Sequence, residues 1–162
     1  MKKKFKNQWK KIRKSKARGG FTLIEILVVI GIIAVLAAVV LIAINPARQF
    51  KLARDSQRTS NVATILNAVG QNIAENKGVF KCAGSSVSIP AEATVISSDG
   101  FDLAPCLLPE YISSLPFDPS KEGAHFTAQD NYDTGYVIYQ DVNGRITASS
   151  TGEITESISV TR

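Results

Sequence analysis

The residues best suited to chemistry lie together at Gly19-Gly20-Phe21-Thr22-Leu23-Ile24-Glu25. The two small residues resemble a cutting site, and Glu25 places one carboxylate just inside the apolar run that follows. Cleavage after Gly20 would free an α-amino group on Phe21, whose reference pKa of about 7.7 to 8.0 leaves it largely protonated at neutral pH. A carboxylate inside a membrane segment is costly unless it is paired or close to the interface. Pairing with the amine of a neighbouring chain would remove two buried charges at once and fix the stagger between adjacent helices. Two other roles stay open for Glu25: an intrachain pair, and a first-turn acid that complements the positive end of the helix dipole.

Elsewhere the chain carries little that could turn over a substrate. It has no Gly-Lys-Ser/Thr phosphate loop, no His-Glu-x-x-His and no Gly-x-Ser-x-Gly turn. His125 is the only imidazole, so any Ser-His or Cys-His mechanism would rest on it alone; it reads as a loop histidine. The expectation is that the protein is not an enzyme and has no cofactor. Asp130, Asp133 and Asp141 could give calcium hard oxygen ligands, although surface turns are acidic for ordinary reasons. Cys82 and Cys106 are the only cysteines. Outside the cytoplasm an oxidised pair would close the intervening loop and stabilise the fold, with two free thiols as the other reading; one His and no Cys-x-x-Cys make a metal site a poor fit.

The elements around the junction are plain in charge and hydropathy. Residues 1–20 hold eight Lys and two Arg and no acid, and residues 26–44 are nineteen consecutive uncharged positions. An apolar helix of about 18 or more residues can cross a bilayer core about 30 Å thick. The basic flank would keep the N-terminus in the cytoplasm and send the chain after Asn45 outward. A cleaved secretory signal would have a shorter apolar core and an Ala-x-Ala site after it. Between Ala34 and Ala47 no two alanines stand two apart. Removing the leader's 10 basic residues from the chain's 19 leaves 9 against 14 acidic, a balance of −5. The basic character thus belongs to the leader, and no compact basic, aromatic-interleaved patch marks a nucleic-acid site.

Gly20-Phe21-Thr22-Leu23-Ile24-Glu25, with the Ile-Leu-Val-Val-Ile-Gly-Ile-Ile-Ala run behind it, resembles the class III signal of type IV prepilins and type II secretion pseudopilins. The resemblance covers about the first quarter of the chain. It implies that prepilin peptidase cuts after Gly20 on the cytoplasmic face, that Phe21 becomes the N-methylated first mature residue, and that Glu25 neutralises a neighbour's N-terminus in a helical filament. It also implies partners that this chain does not encode: a platform protein and an assembly ATPase. DNA uptake pili bind DNA, but nothing in this sequence shows such a site.

Beyond the span, Asn45-Pro46 predicts a kink or local unwinding, because Pro46 has no amide proton for the carbonyl of Ile42. Helix is expected again over residues 47–77, with Val62, Ile65, Leu66, Val69 and Ile73 forming one apolar stripe and Gly78 as C-cap. If residues 21–76 form one bent helix, it is about 84 Å long. Arg48, Lys51, Arg54, Asp55 and Arg58 read as a solvated face or as contacts to headgroups and other subunits. Residues 79–119 read as loop. Within them Leu115-Pro116-Phe117-Asp118-Pro119 is similar to a segment of major pseudopilins, although the Trp-Gly that often follows is replaced by Ser120-Lys121. Tyr136-Val137-Ile138-Tyr139, an Asn143-Gly144 turn, residues 145–149 and the alternation of Ile154, Ile158 and Val160 predict an antiparallel meander.

The expected fold is therefore α+β and type IV pilin-like: a long N-terminal helix packed on a small antiparallel head. Its parts are a removable leader at 1–20, a membrane and filament-core helix at 21–44, an amphipathic helix at 45–77 and a head at 78–162. The expected function is a pilus-like filament subunit for adhesion, twitching or DNA uptake, held in the cytoplasmic membrane before assembly and on the cell surface after it. The competing function is a secretion pseudopilin acting as a periplasmic piston, which the Leu-Pro-Phe-Asp-Pro segment favours. A single-span anchor that keeps its leader and never polymerises is the reading from a different class.

Overall fold

The structure, a computed structural model, describes residues 19–162. The leader expected at 1–20 lies almost wholly outside the described residues. Helix α1 (Leu23–Ile44) contains only apolar residues and Glu25, and every residue in it is exposed. It is the one described helix long and apolar enough to cross a membrane.

Helix α2 (Pro46–Glu75) belongs with the rest of the chain in a second compact unit, residues 45–162. The break between the helices falls on Asn45, whose backbone is left-handed at φ 46° and whose Oδ1 accepts the Arg48 amide at 3.3 Å. Pro46 is then the first helical residue. There its missing N–H would have had no helical partner and its fixed φ suits the helix, so the local unwinding expected here is confined to Asn45 and Pro46 starts the next helix. At the other end two successive residues have positive φ, Lys77 at 59° and Gly78 at 90°, and the Gly78 amide bonds back to the Ile73 carbonyl at 2.8 Å. That six-to-one bond is a Schellman closure in which Gly78, expected as the C-cap, is the second residue past Asn76.

The α2 stripe is the floor of the head. Val62, Ile65, Leu66 and Val69 are fully buried with Ile96, Leu103, Leu107, Leu115, Tyr136 and Ile138, and Ile73 packs at the edge of this core. The sheet is antiparallel. Its central strand β5 (Asn131–Gln140) pairs with β3 (Thr94–Ser97) on one side and with β4 (His125–Ala128) and β6 (Ile146–Ser150) on the other; β7 (Ile158–Thr161) follows β6. A two-residue hairpin, β1 (Lys81–Cys82) with β2 (Ser85–Ser86), and a single turn of helix, α3 (Ala104–Leu107), complete it.

Residues 79–119 are therefore not simply loop: β1, β2, β3 and α3 lie there. Each is four residues or fewer, too short to show a period in sequence, and β1, β3 and α3 are held by partners distant in sequence. The meander is present, but β7 starts only at Ile158. Residues 151–157, where Ile154 suggested strand, turn instead toward α2.

Within β5, Val95 of β3 faces Val137 while Ser97 faces Asp133, so β5 carries extra residues at Thr134 to Tyr136. Gly135 sits in this bulge at φ 75°. A Cβ there would be 3.1 Å from the Asp118 Cβ and 2.9 Å from the Lys121 Cδ. Glycine thus supplies both the left-handed turn and the room for the 115–121 segment, whose Asp118 amide bonds to the Thr134 carbonyl at 2.9 Å.

Candidate functional sites: the N-terminal junction and the Arg58 clamp

Residues 19–22 are exposed and non-helical, so the Gly20–Phe21 bond stands outside α1. The helix start is set by a reciprocal cap. The Glu25 amide donates to the Thr22 hydroxyl at 3.3 Å, and Glu25 Oε2 accepts from the Thr22 amide at 3.3 Å and its hydroxyl at 3.4 Å. With Thr22 at the N-cap and Glu25 three positions on, this is a capping box that satisfies orphan amide donors of the first turn. In the uncut chain the Glu25 carboxylate thus has a local role, close to the first-turn acid envisaged from sequence.

Residues 15–41 match the family described as the prokaryotic N-terminal methylation motif. This chain carries a prepilin-type class III signal. The matched segment contains the Gly20–Phe21 bond, Glu25 and most of α1. A motif of this kind goes with prepilin peptidase processing and filament assembly, and the apolar α1 fits membrane anchoring. The small antiparallel head behind an N-terminal apolar helix is consistent with a pilin-like α+β fold. Neither curated proteins nor solved structures match the chain.

The densest polar site of the head was not read from the sequence. Arg58 is 3% exposed, and all five of its N–H groups are used. Nε donates to Asp118 Oδ2 at 2.7 Å and Nη2 to Asp118 Oδ1 at 3.0 Å, a two-point grip on one carboxylate. Nη2 also donates to Ser120 Oγ at 2.7 Å, and Nη1 donates to Asp55 Oδ1 at 2.7 Å and Glu153 Oε1 at 3.3 Å. Asp55 in turn accepts the backbone amides of Glu153, Ile154 and Thr155 at 2.8, 2.9 and 3.1 Å. Arg54 closes the set with a two-point contact to Glu153.

The electrostatics follow from these contacts. The three loop amides, led by that of Glu153, with help from Arg58, hold the Asp55 carboxyl far below the usual carboxylate range. The Arg54 guanidinium brings Glu153 down to about 2. Burial alone would raise Asp118, but Arg58 and the amides of Ser120 and Lys121 outweigh it and the net direction is down. Asp118 raises Arg58 against the opposing effect of burial. All five ionisable groups therefore stay charged through the physiological range, and the arrangement is a clamp that offers no proton for catalysis.

This corrects the sequence reading of the charge cluster. Arg54, Asp55 and Arg58 face the head's own 118–120 and 153–155 segments, because burying Arg58 beside carboxylates lets the chain close over α2. Asp118 of the Leu-Pro-Phe-Asp-Pro segment is the buried counter-ion of this clamp. Arg48 and Lys51 lie on the exposed part of α2.

Cys82 and Cys106 are joined by a disulfide. The three aspartates considered for calcium are separately engaged: Asp141 with Arg145 and the Asn143 amide, Asp133 with the Gly135 amide, and Asp130 in an exposed turn. Among the described residues no group of three His, Cys, Asp or Glu side chains is placed to hold a metal. His125 is partly buried at the start of β4, with its ring nitrogens against the Gly123 carbonyl at 2.6 Å and Asn131 Oδ1 at 3.0 Å. Those two acceptors raise its pKa, Asn131 most.

Proposed function

We propose that the protein is the structural subunit of a type IV pilus-like extracellular filament. Prepilin peptidase cuts it after Gly20, Phe21 is N-methylated, and the 21–44 helix packs into the filament core. The observation that carries this reading is the matched methylation segment running into a helix whose apolar side chains are exposed along its whole length. Such a surface is stable in a bilayer or against other copies of itself and not in water. The subunit waits in the cytoplasmic membrane with its N-terminus inside and its head outside.

Assembly then changes the partners of Glu25. In the uncut chain its carboxylate caps α1; after cleavage the Phe21 ammonium of an adjacent subunit supplies a full counter-charge in an apolar bundle. N-methylation preserves that charge. The work of extension falls to the platform protein and ATPase, and this chain contributes structure and adhesion, not catalysis.

Intact-mass measurement of the membrane-bound protein tests the processing. The expected product begins at Phe21 and carries one added methyl; a product that retains residues 1–20 removes the proposal and leaves a simple anchor. The Leu115-to-Pro119 segment keeps a second reading in play, a type II secretion pseudopilin. Deleting the gene separates the two: loss of surface fibres supports the pilus, and loss of exoprotein secretion with fibres intact supports the piston.

A further inference from the structure

Asn72 lies on α2, 2% exposed, between the two segments that carry the cysteines. Its Nδ2 donates to the Lys81 carbonyl at 2.8 Å and to the Cys106 carbonyl at 3.0 Å, while its Oδ1 accepts the Lys81 amide at 2.9 Å. Two carbonyls and one amide fix which end of the side chain is which, since the reverse orientation would set oxygen against oxygen. Both N–H groups and the oxygen are therefore spent on Lys81, next to Cys82, and on Cys106 itself.

We propose that Asn72 is the positioning residue for the Cys82–Cys106 disulfide: it holds both cysteine segments against α2 in the reduced chain, before the bond exists. The cysteines are 24 residues apart, and a free loop of that length seldom brings its ends together. Three hydrogen bonds from one buried side chain on a rigid helix close that loop without covalent help. A helix residue ten positions before Cys82 thus lowers the entropic cost of oxidation by ordering the dithiol state itself. This inference stands on the head alone and is independent of whether the chain forms a pilus.

The chemistry is ordinary exchange with a disulfide oxidant such as glutathione disulfide. One cysteine thiolate attacks the oxidant and releases one glutathione thiolate; the second cysteine thiolate attacks the mixed disulfide and releases the other. Two electrons and two protons pass from the protein thiols to two glutathione molecules. Only the second, intramolecular step senses how closely Cys82 and Cys106 are held.

The test equilibrates the full chain, in detergent micelles, against glutathione redox buffers and reads the effective concentration of the two thiols. Asn72→Ala is expected to lower it about tenfold or more, because the dithiol form loses its order while the oxidised form keeps its covalent closure. Val69→Ala, which empties core volume on the same helix but removes none of the three Asn72 hydrogen bonds, is expected to lower the melting temperature and leave the effective concentration unchanged. An unchanged value in Asn72→Ala, or an equal fall in Val69→Ala, overturns the proposal. Should Asn72→Ala not fold, the cysteine-free variant Cys82→Ala/Cys106→Ala decides. Its Lys81 amide is expected to remain protected from hydrogen exchange, and exchange at the rate of an open loop overturns the proposal.

Discussion

Arg58 shows why residue identity matters here more than charge. Five donors in a rigid planar fork meet five acceptors, two of them on one carboxylate. Arg58→Ala would leave Asp55 and Asp118 buried without their cation, a defect that costs about 3 to 5 kcal/mol. Arg58→Lys keeps the charge but has only three donors, so it is expected to fall between the two. Melting followed by circular dichroism in micelles checks the order wild type, Lys, Ala. Gly152 is the companion case. A Cβ there would sit 2.2 Å from the Thr155 carbonyl oxygen and 3.0 Å from Asp55 Oδ2, so Gly152→Ala must shift the loop and is expected to destabilise by about 1 to 3 kcal/mol.

At the scale of elements, the head is held by side chains that tie short pieces to long ones. Tyr132 of β5 is 1% exposed; its hydroxyl donates to Asp102 at 2.7 Å and accepts the amides of Leu103 and Ala104 at 2.8 and 3.2 Å. One phenol thus anchors the start of α3, and burial pushes its pKa well above the ordinary tyrosine value. Tyr132→Phe takes the acceptor from the buried Leu103 amide, while the Ala104 amide keeps Asp102 Oδ1 at 3.1 Å, with an expected cost of about 1 to 3 kcal/mol and faster hydrogen exchange at Leu103. The clamp between α2 and residues 151–157 gives a pH signature. Asp55, Asp118 and Glu153 all titrate lower in the folded head than in an unfolded chain, where such groups lie at about 3.9 to 4.3. Their contribution is present above the unfolded values and is lost as pH falls through the folded ones. The melting temperature is therefore expected to be level from pH 7 to about 5 and to decline below that, and Glu153→Gln to soften the decline.

At the scale of the whole molecule, the prediction concerns Glu25. Replacing it with Gln leaves α1 apolar and long enough to span, so the subunit is expected to insert in the membrane as before. On the proposed filament role, what it would lose is the counter-ion for a neighbour's ammonium within the filament core. An unpaired buried charge of that kind costs about 3 kcal/mol per contact, so the yield of sheared filaments is expected to fall by about 100-fold or more while membrane-bound subunit stays constant. Undiminished filaments from Glu25→Gln would refute the salt-bridge role.

The N-terminal quarter and the floor of the head were legible in one dimension. Hydropathy, leader charge, the Gly20–Phe21 junction and the spacing of Val62, Ile65, Leu66, Val69 and Ile73 are local properties, and the structure returns an exposed apolar helix and a buried stripe from them. The partners of Arg58 lie 60 and 95 positions away at Asp118 and Glu153, and no local pattern could rank these over solvent or another subunit. The same holds for β3 and α3, too short to carry a period, and for Asn72, whose partners are two backbone segments. Sequence by itself determined what the chain must hide from water and that its N-terminus carries the methylation motif. Only tertiary structure decided which charges meet, because a buried ion pair requires loops far apart in sequence to close over one helix together, and that closure is a property of the whole head.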